Sequence, residues 1–197
     1  MSNDHPSILR PAPSRWDHWR DYAAILRHGV VARADRIDGR LVVERSGPFV
    51  PAISFPSSAN VVLTEQSKVA LAQAVPQLEF RQVILGKAVL LDWQEWPADA
   101  EEPAQYPSSG EPEDYLSEHP HDPALADRIG PLWELVPTIN AEIQGRNGCL
   151  RIERWQHGHL VRADLRAGYN FVSPALRAAL SSVAPDCVTF VPSRPCD

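Results

Sequence analysis

Four of the chain's seven histidines stand in two His-x-His pairs, His119-Pro120-His121 and His157-Gly158-His159. Residues two apart on a strand point to the same face, so such a pair can present two imidazoles to one metal. Asp164 follows the second pair and could add a carboxylate. A metal site needs three or four converging ligands. The sequence offers pairs, so no metal and no cofactor are expected. The three cysteines, Cys149, Cys187 and Cys196, are scattered, with no Cys-x-x-Cys. That excludes a disulfide framework and a cysteine-rich zinc site, and points to a reducing cytoplasm. None sits where a thiol would be activated: Cys149 adjoins a turn, Cys187 reads as buried in a strand, and Cys196 is in the tail. Dinucleotide, phosphate-loop, nucleophile-elbow and zincin motifs are all missing from the sequence. The chain is expected not to be an enzyme.

The elements that must carry these residues come from 197 residues, 44% of them hydrophobic. That length makes one domain or two small ones, large enough to need no staple. Prolines number 19 against 10 glycines, which favours rigid connections. There is no apolar run of membrane-spanning length, and residues 1–10 lack the apolar core of a secretion signal.

Charge is uneven. Residues 98–127 hold nine acids: Asp99, Glu101, Glu102, Glu111, Glu113, Asp114, Glu118, Asp122 and Asp127. They hold no Lys or Arg. The whole chain has 25 acids and 19 bases, so the remainder carries 16 acids and is net +3. With five prolines and few apolar residues, the segment reads as a long exposed loop that cannot bury a core of its own. Tyr106, Tyr115, Trp93 and Trp96 lie in it or just before it. Aromatics within a charged rim are the anatomy of a binding patch. The candidate partner-binding residues are Glu101, Glu102, Glu111, Glu113, Asp114, Tyr115 and Trp96. Their charge favours a basic partner and repels nucleic acid. Arg15, Arg20, Arg27, Arg33, Arg36 and Arg40 alternate with acids and read as a solvated face.

At an offset of 109, residues 38–76 and 147–185 share seven identities in 39 positions. Asp38-Gly39 and Asn147-Gly148 are hairpin dipeptides. Leu41 and Val43, like Leu150 and Ile152, alternate as half-buried strands do. Thr64 and Ser173 are N-cap residues, and Pro174 fits the first helical position. Pro76 and Pro185 stop the two helices, and strand-like residues follow each. In the first copy, residues 83–91 suggest an added hairpin turning at Gly86-Lys87. An N-terminal helix runs from Ser14 to Gly29, with Trp16, Trp19, Ala23 and Leu26 as its core stripe. The fold expected is α+β: two similar small lobes of strand–helix–strand units plus the N-terminal helix. The segments are 1–97 for the helix and first lobe, 98–127 for the acidic loop, and 128–197 for the second lobe.

From Asp164 to Pro192 the chain carries an apolar strand reaching Phe171-Val172-Ser173, then the helix Pro174 to Leu180, then Thr189-Phe190-Val191-Pro192. This resembles the C-terminal signature of bacterial immunity proteins of polymorphic toxin systems, including the double-CxxCG type. It departs from that type by lacking both Cys pairs, so no zinc knuckle carries over. The resemblance covers the last 35 or so residues plus 60–83. It implies a cytoplasmic protein that occludes a cognate toxin, with no catalytic residues to transfer. No nucleic-acid or membrane partner is expected. The alternative is a small metal-dependent enzyme: His157-x-His159 with Asp164 is similar to the first cupin motif, though the second motif is not found.

Overall fold

The computed structural model describes residues 5–57, 59–139, 149–151, 155, 158–162 and 169–195. It is an α+β fold. The first half comprises β1 (Ser7–Pro11), α1 (Asp21–His28), β2 (Val30–Ile37), β3 (Arg40–Gly47), β4 (Ile53–Ser54), β5 (Val62–Thr64), α2 (Glu65–Ala74), β6 (Glu79–Gln82) and β7 (Ile84–Leu90). There follow α3 (Asp114–Glu118), α4 (Pro123–Ile129), β8 (Leu132–Val136), β9 (Thr138–Ile139) and β10 (Cys149–Leu150). The chain continues through β11 (Leu160–Arg162), β12 (Asn170–Val172), α5 (Pro174–Val183), β13 (Val188–Pro192) and β14 (Arg194–Pro195).

Two of the sheets are mainly antiparallel. One has the order β4-β5-β8-β6, and the other β11-β12-β1-β13 with β9 added beside β11. All pairs within those two four-strand orders are antiparallel. Each takes its third strand from the other half of the chain: β8 enters the first sheet and β1 the second. Phe80 faces Leu135 across one pair, and Phe190 faces Leu9 across the other. Alternation then sends Leu9, Leu63, Leu135, Leu160 and Val172 into one shared core with Leu71 of α2 and Leu176 and Leu180 of α5. Each helix starts where a hydroxyl accepts a first-turn N–H. Thr64 Oγ1 takes Ser67 N–H at 3.3 Å, and Ser173 Oγ takes Leu176 N–H at 3.2 Å.

The outer faces differ. On the second sheet Ile8, Val161 and Phe171 pack with Leu150. On the first, Glu134 lies 3% exposed and takes two hydrogen bonds from Arg36, at 2.6 and 2.7 Å. Arg36, itself exposed, thus clamps a buried carboxylate. Arg162 and Asn170, both buried, donate to the carbonyl of Ala59 close by.

Three sequence expectations change. The N-terminal helix is broken: a 3-10 turn at Asp17–Trp19 precedes α1, and Arg20 between them has φ 55°. Ser14 Oγ accepts from Trp16 N–H in the approach and does not cap α1. Gly29 does end the helix, in the left-handed conformation at φ 56°, and the stripe of Trp16, Trp19, Ala23 and Leu26 is buried. Secondly, residues 83–91 form no hairpin. β7 passes straight through Gly86-Lys87 and pairs in parallel with β3, whose register shifts between Val43 and Glu44. A Cβ on Gly86 would come within 3.2 Å of Val42 Cγ1, so that glycine serves close strand approach at the shift.

The third change concerns residues 98–127. They are not a bare exposed loop, because α3 and the start of α4 lie within them and Pro103, Pro107, Pro112, Tyr115, Leu116 and Leu125 are buried. The segment is a strap over α1 and β7. Its few apolar side chains close an aromatic core with Trp16, Trp19, Trp93 and Trp96. It also shields the outer side of β7: Asp122 N–H donates to Ala88 O at 2.8 Å, and Ala88 N–H donates to His121 Nδ1 at 3.0 Å. An uncovered strand edge would invite pairing with other chains.

Candidate functional site

The strap divides its residues by chemistry. Inward go the rings. Tyr115, 2% exposed, lies 6.0 Å from Trp96 and 6.0 Å from Tyr22, centroid to centroid. Its hydroxyl donates to Gln105 O, and burial pushes its pKa up. Trp96 is 9% exposed and packs on Trp19. The two aromatics expected to anchor a partner are therefore buried inside this protein, where they hold the strap down.

Outward go the charges. Glu101, Glu102, Glu111 and Glu113 are exposed, and Asp114 is half-buried. Asp114 accepts from Ser117 Oγ at 2.8 Å, and the Ser109 and Ser117 hydroxyls hold its carboxyl below the usual range. The exposed aromatic among these acids is Tyr106, 48% exposed, whose hydroxyl donates to Glu102 at 3.0 Å. Tyr22 of α1 meets Tyr106 edge-on at 5.1 Å and donates to Gly110 O. Lost hydration raises the Tyr22 pKa, and the carboxylates of Glu111 and Glu113 add to it. Glu102, Glu111 and Glu113 thus gather around one tyrosine pair. The fold brings glutamates that stand up to 11 positions apart to a tyrosine of α1, which lies 80 or more positions earlier in sequence.

Sequence reasoning missed Tyr22. It sits in α1, just after the tryptophan-bearing turn and off the buried stripe, and an aromatic off the stripe is the signal that could have marked it. Two further acids serve the strap itself. Glu118 accepts from Ser108 N–H at 2.8 Å, and Asp122 caps α4 through Leu125 N–H at 2.9 Å.

Three of the four paired histidines lie among the described residues, each within hydrogen-bond reach of a protein partner. His119 Nδ1 lies 2.8 Å from Tyr115 O, and His121 accepts from Ala88 N–H. His159 Nδ1 lies 2.9 Å from the capping Ser173 Oγ. His157 and Asp164 lie outside the described residues. Among the described residues no three His, Cys, Asp or Glu side chains gather as metal ligands. Among them too, no helix is long and apolar enough to cross a membrane. Comparison with family models, curated proteins and solved structures finds no match to this chain.

Proposed function

We propose that the chain is an immunity protein that binds and neutralises a cognate toxin by covering it. The observation that carries this reading is the acidic face of the strap: Glu102, Glu111 and Glu113 around Tyr106 and Tyr22, on a segment fastened by its own aromatic core. A fixed acidic surface with a half-exposed ring suits a basic catalytic or substrate cleft, which it would block by occlusion. The anchor in this reading is Tyr106, with Glu101 and Asp114 at the margin. The chain works in the cytoplasm, takes no cofactor and performs no catalysis of its own.

The two antiparallel sheets are, in this proposal, two copies of one strand–strand–helix–strand unit. The helices span 65–74 and 174–183, the same offset of 109 that aligns the sequences. Each copy is completed by a strand lent from the other half. The resemblance to immunity families rests on this unit.

The test is protection. The product of the neighbouring reading frame is expressed in host cells with and without this chain. Survival only with the wild-type chain, and its loss when Glu102, Glu111 and Glu113 are all changed to Gln, is the expected result. Growth arrest that the wild-type chain does not relieve overturns the proposal.

A further inference from the structure

A second region concentrates unpaired donors, well away in chemistry from the acidic strap. A cavity of about 200 Å³ is lined by Ala12, Trp16, Arg27, His28, Phe49 and Trp93, among others. Trp16 is 7% exposed, and its indole N–H has no acceptor. Arg27 pairs with Asp17 through Nη2, but its Nε is buried with no acceptor. Next to the lining residues His28 and Ile53 lies Arg45, 0% exposed. Its guanidinium donates to His28 O at 3.1 Å and to Ser54 Oγ at 3.3 Å, and among the described residues its Nε has no partner and no carboxylate pairs with it. Burial first, and then the charges of Arg27 and Arg45, push His28 down to about 3. The wall is therefore neutral at His28 and cationic behind it. Asp186 is the one acid among the residues lining the cavity, and it is exposed, as is Arg15.

We infer that this cavity is a binding site for a small organic carboxylate with an aromatic body. A buried guanidinium without a counter-charge is costly, and an anion nearby would offset it. Both Trp16 Nε1 and Arg27 Nε are closed off from solvent in the free chain, so these side chains must turn toward the cavity for their charge-assisted hydrogen bonds to orient the carboxylate. The rest of the wall is aromatic. Trp16 and Trp93 meet edge-on at 4.6 Å, and Phe49 meets Trp93 at 6.2 Å. Such walls take a ring at edge or face. The volume is below the ~300–1,000 Å³ of drug-sized sites, so it suits one ring with a short acid arm. Inorganic phosphate has no apolar body to fill it.

The experiment uses the full chain, with phenylacetate, its neutral analogue phenylacetamide, and inorganic phosphate as probes. Titration is followed by calorimetry and by tryptophan fluorescence, since Trp16 and Trp93 line the cavity. Phenylacetate should saturate and bind about tenfold more tightly than the amide, the worth of a charge-assisted hydrogen bond over a neutral one. Phosphate should not compete. Arg27→Gln should weaken phenylacetate about fivefold or more. Trp16→Phe, which keeps an aromatic ring and removes the N–H, should weaken it similarly and weaken the amide less, because the amide oxygen is a neutral acceptor. Equal affinity for acid and amide, no saturation by either, or displacement by phosphate would overturn the inference. The wild-type comparison of acid with amide stands even if a variant fails to fold.

Discussion

The core shared by the two antiparallel sheets is mainly aliphatic, made of residues such as Leu9, Leu63, Leu71, Leu135, Val172 and Leu180. Beneath the strap it is aromatic, made largely of Trp16, Trp19, Trp93, Trp96 and Tyr115. The first is positioned by strand alternation and helix periodicity. The second is positioned by side chains that reach distant backbone, as when Trp19 Nε1 donates to Ala100 O at 2.9 Å. A regular ladder lets a chain bury small apolar groups at every second position. An acidic, proline-rich stretch has no ladder, so it depends on a few large rings, each with a polar tip that needs a partner. The strap can therefore keep its charges outside while remaining folded.

The comparison breaks most severely in the aliphatic core. Leu71→Ala or Leu180→Ala, both at 0% exposure, should each cost about 3 kcal/mol of unfolding free energy in denaturant melts. A cost below about 1 kcal/mol for either would mean that its helix does not pack in the shared core. Next is the clamp on the outer face of the first sheet. Glu134→Ala leaves Arg36 without its carboxylate. The cost should be about 2 kcal/mol, less than the ~3–5 of a fully buried pair because Arg36 is about a third exposed.

Acid sharpens the picture from another side. His28 titrates near 3 in the folded chain, against about 6.5 unfolded. Its folded pKa is depressed, so between those values the unfolded chain takes up a proton that the folded chain does not. The stability from its neutral burial is full above pH ~6.5 and falls with pH below that, by up to about 1.4 kcal/mol per unit. Denaturant melts from pH 7 to 4 should show a shallower decline in His28→Asn than in the wild type. Parallel curves would place His28 in water. Smaller again is Tyr115→Phe, which removes the hydroxyl that Gln105 O accepts. It should cost about 1 kcal/mol and raise hydrogen exchange over residues 98–118 first.

The same contrast explains what the residues disclosed in advance. Thr64 and Ser173 were legible as caps because hydroxyl, helix stripe and terminal proline sit at fixed spacing. The tryptophan stripe was legible because its period is that of a helix. Long-range insertion was not legible: nothing local in Ser7–Pro11 or Leu132–Val136 says that each strand completes the sheet of the other half. Nor was the fate of Gly86, which depends on a register shift in β3, a strand some 40 residues earlier. In the candidate site, acid counting found the charged face. It assigned Tyr115 and Trp96 to the outside, because composition does not tell which side of a strap a ring occupies. Tyr106 was legible among the aromatics of the acidic stretch, whereas Tyr22 became visible only once α1 and the strap were in contact.

Under the proposed function, the acids around Tyr106 dock a basic toxin while the inward rings only hold the strap. Charge at an interface mainly sets the association rate, and salt screens it. The direct measurement is surface-binding kinetics with the neighbouring gene product at low and high salt, comparing wild type with the Glu102→Gln, Glu111→Gln, Glu113→Gln triple variant. The variant should associate about tenfold more slowly at low salt, lose most of the salt dependence, and stay within about 0.5 kcal/mol of wild-type stability. Association rates and salt dependence equal to wild type would contradict the account.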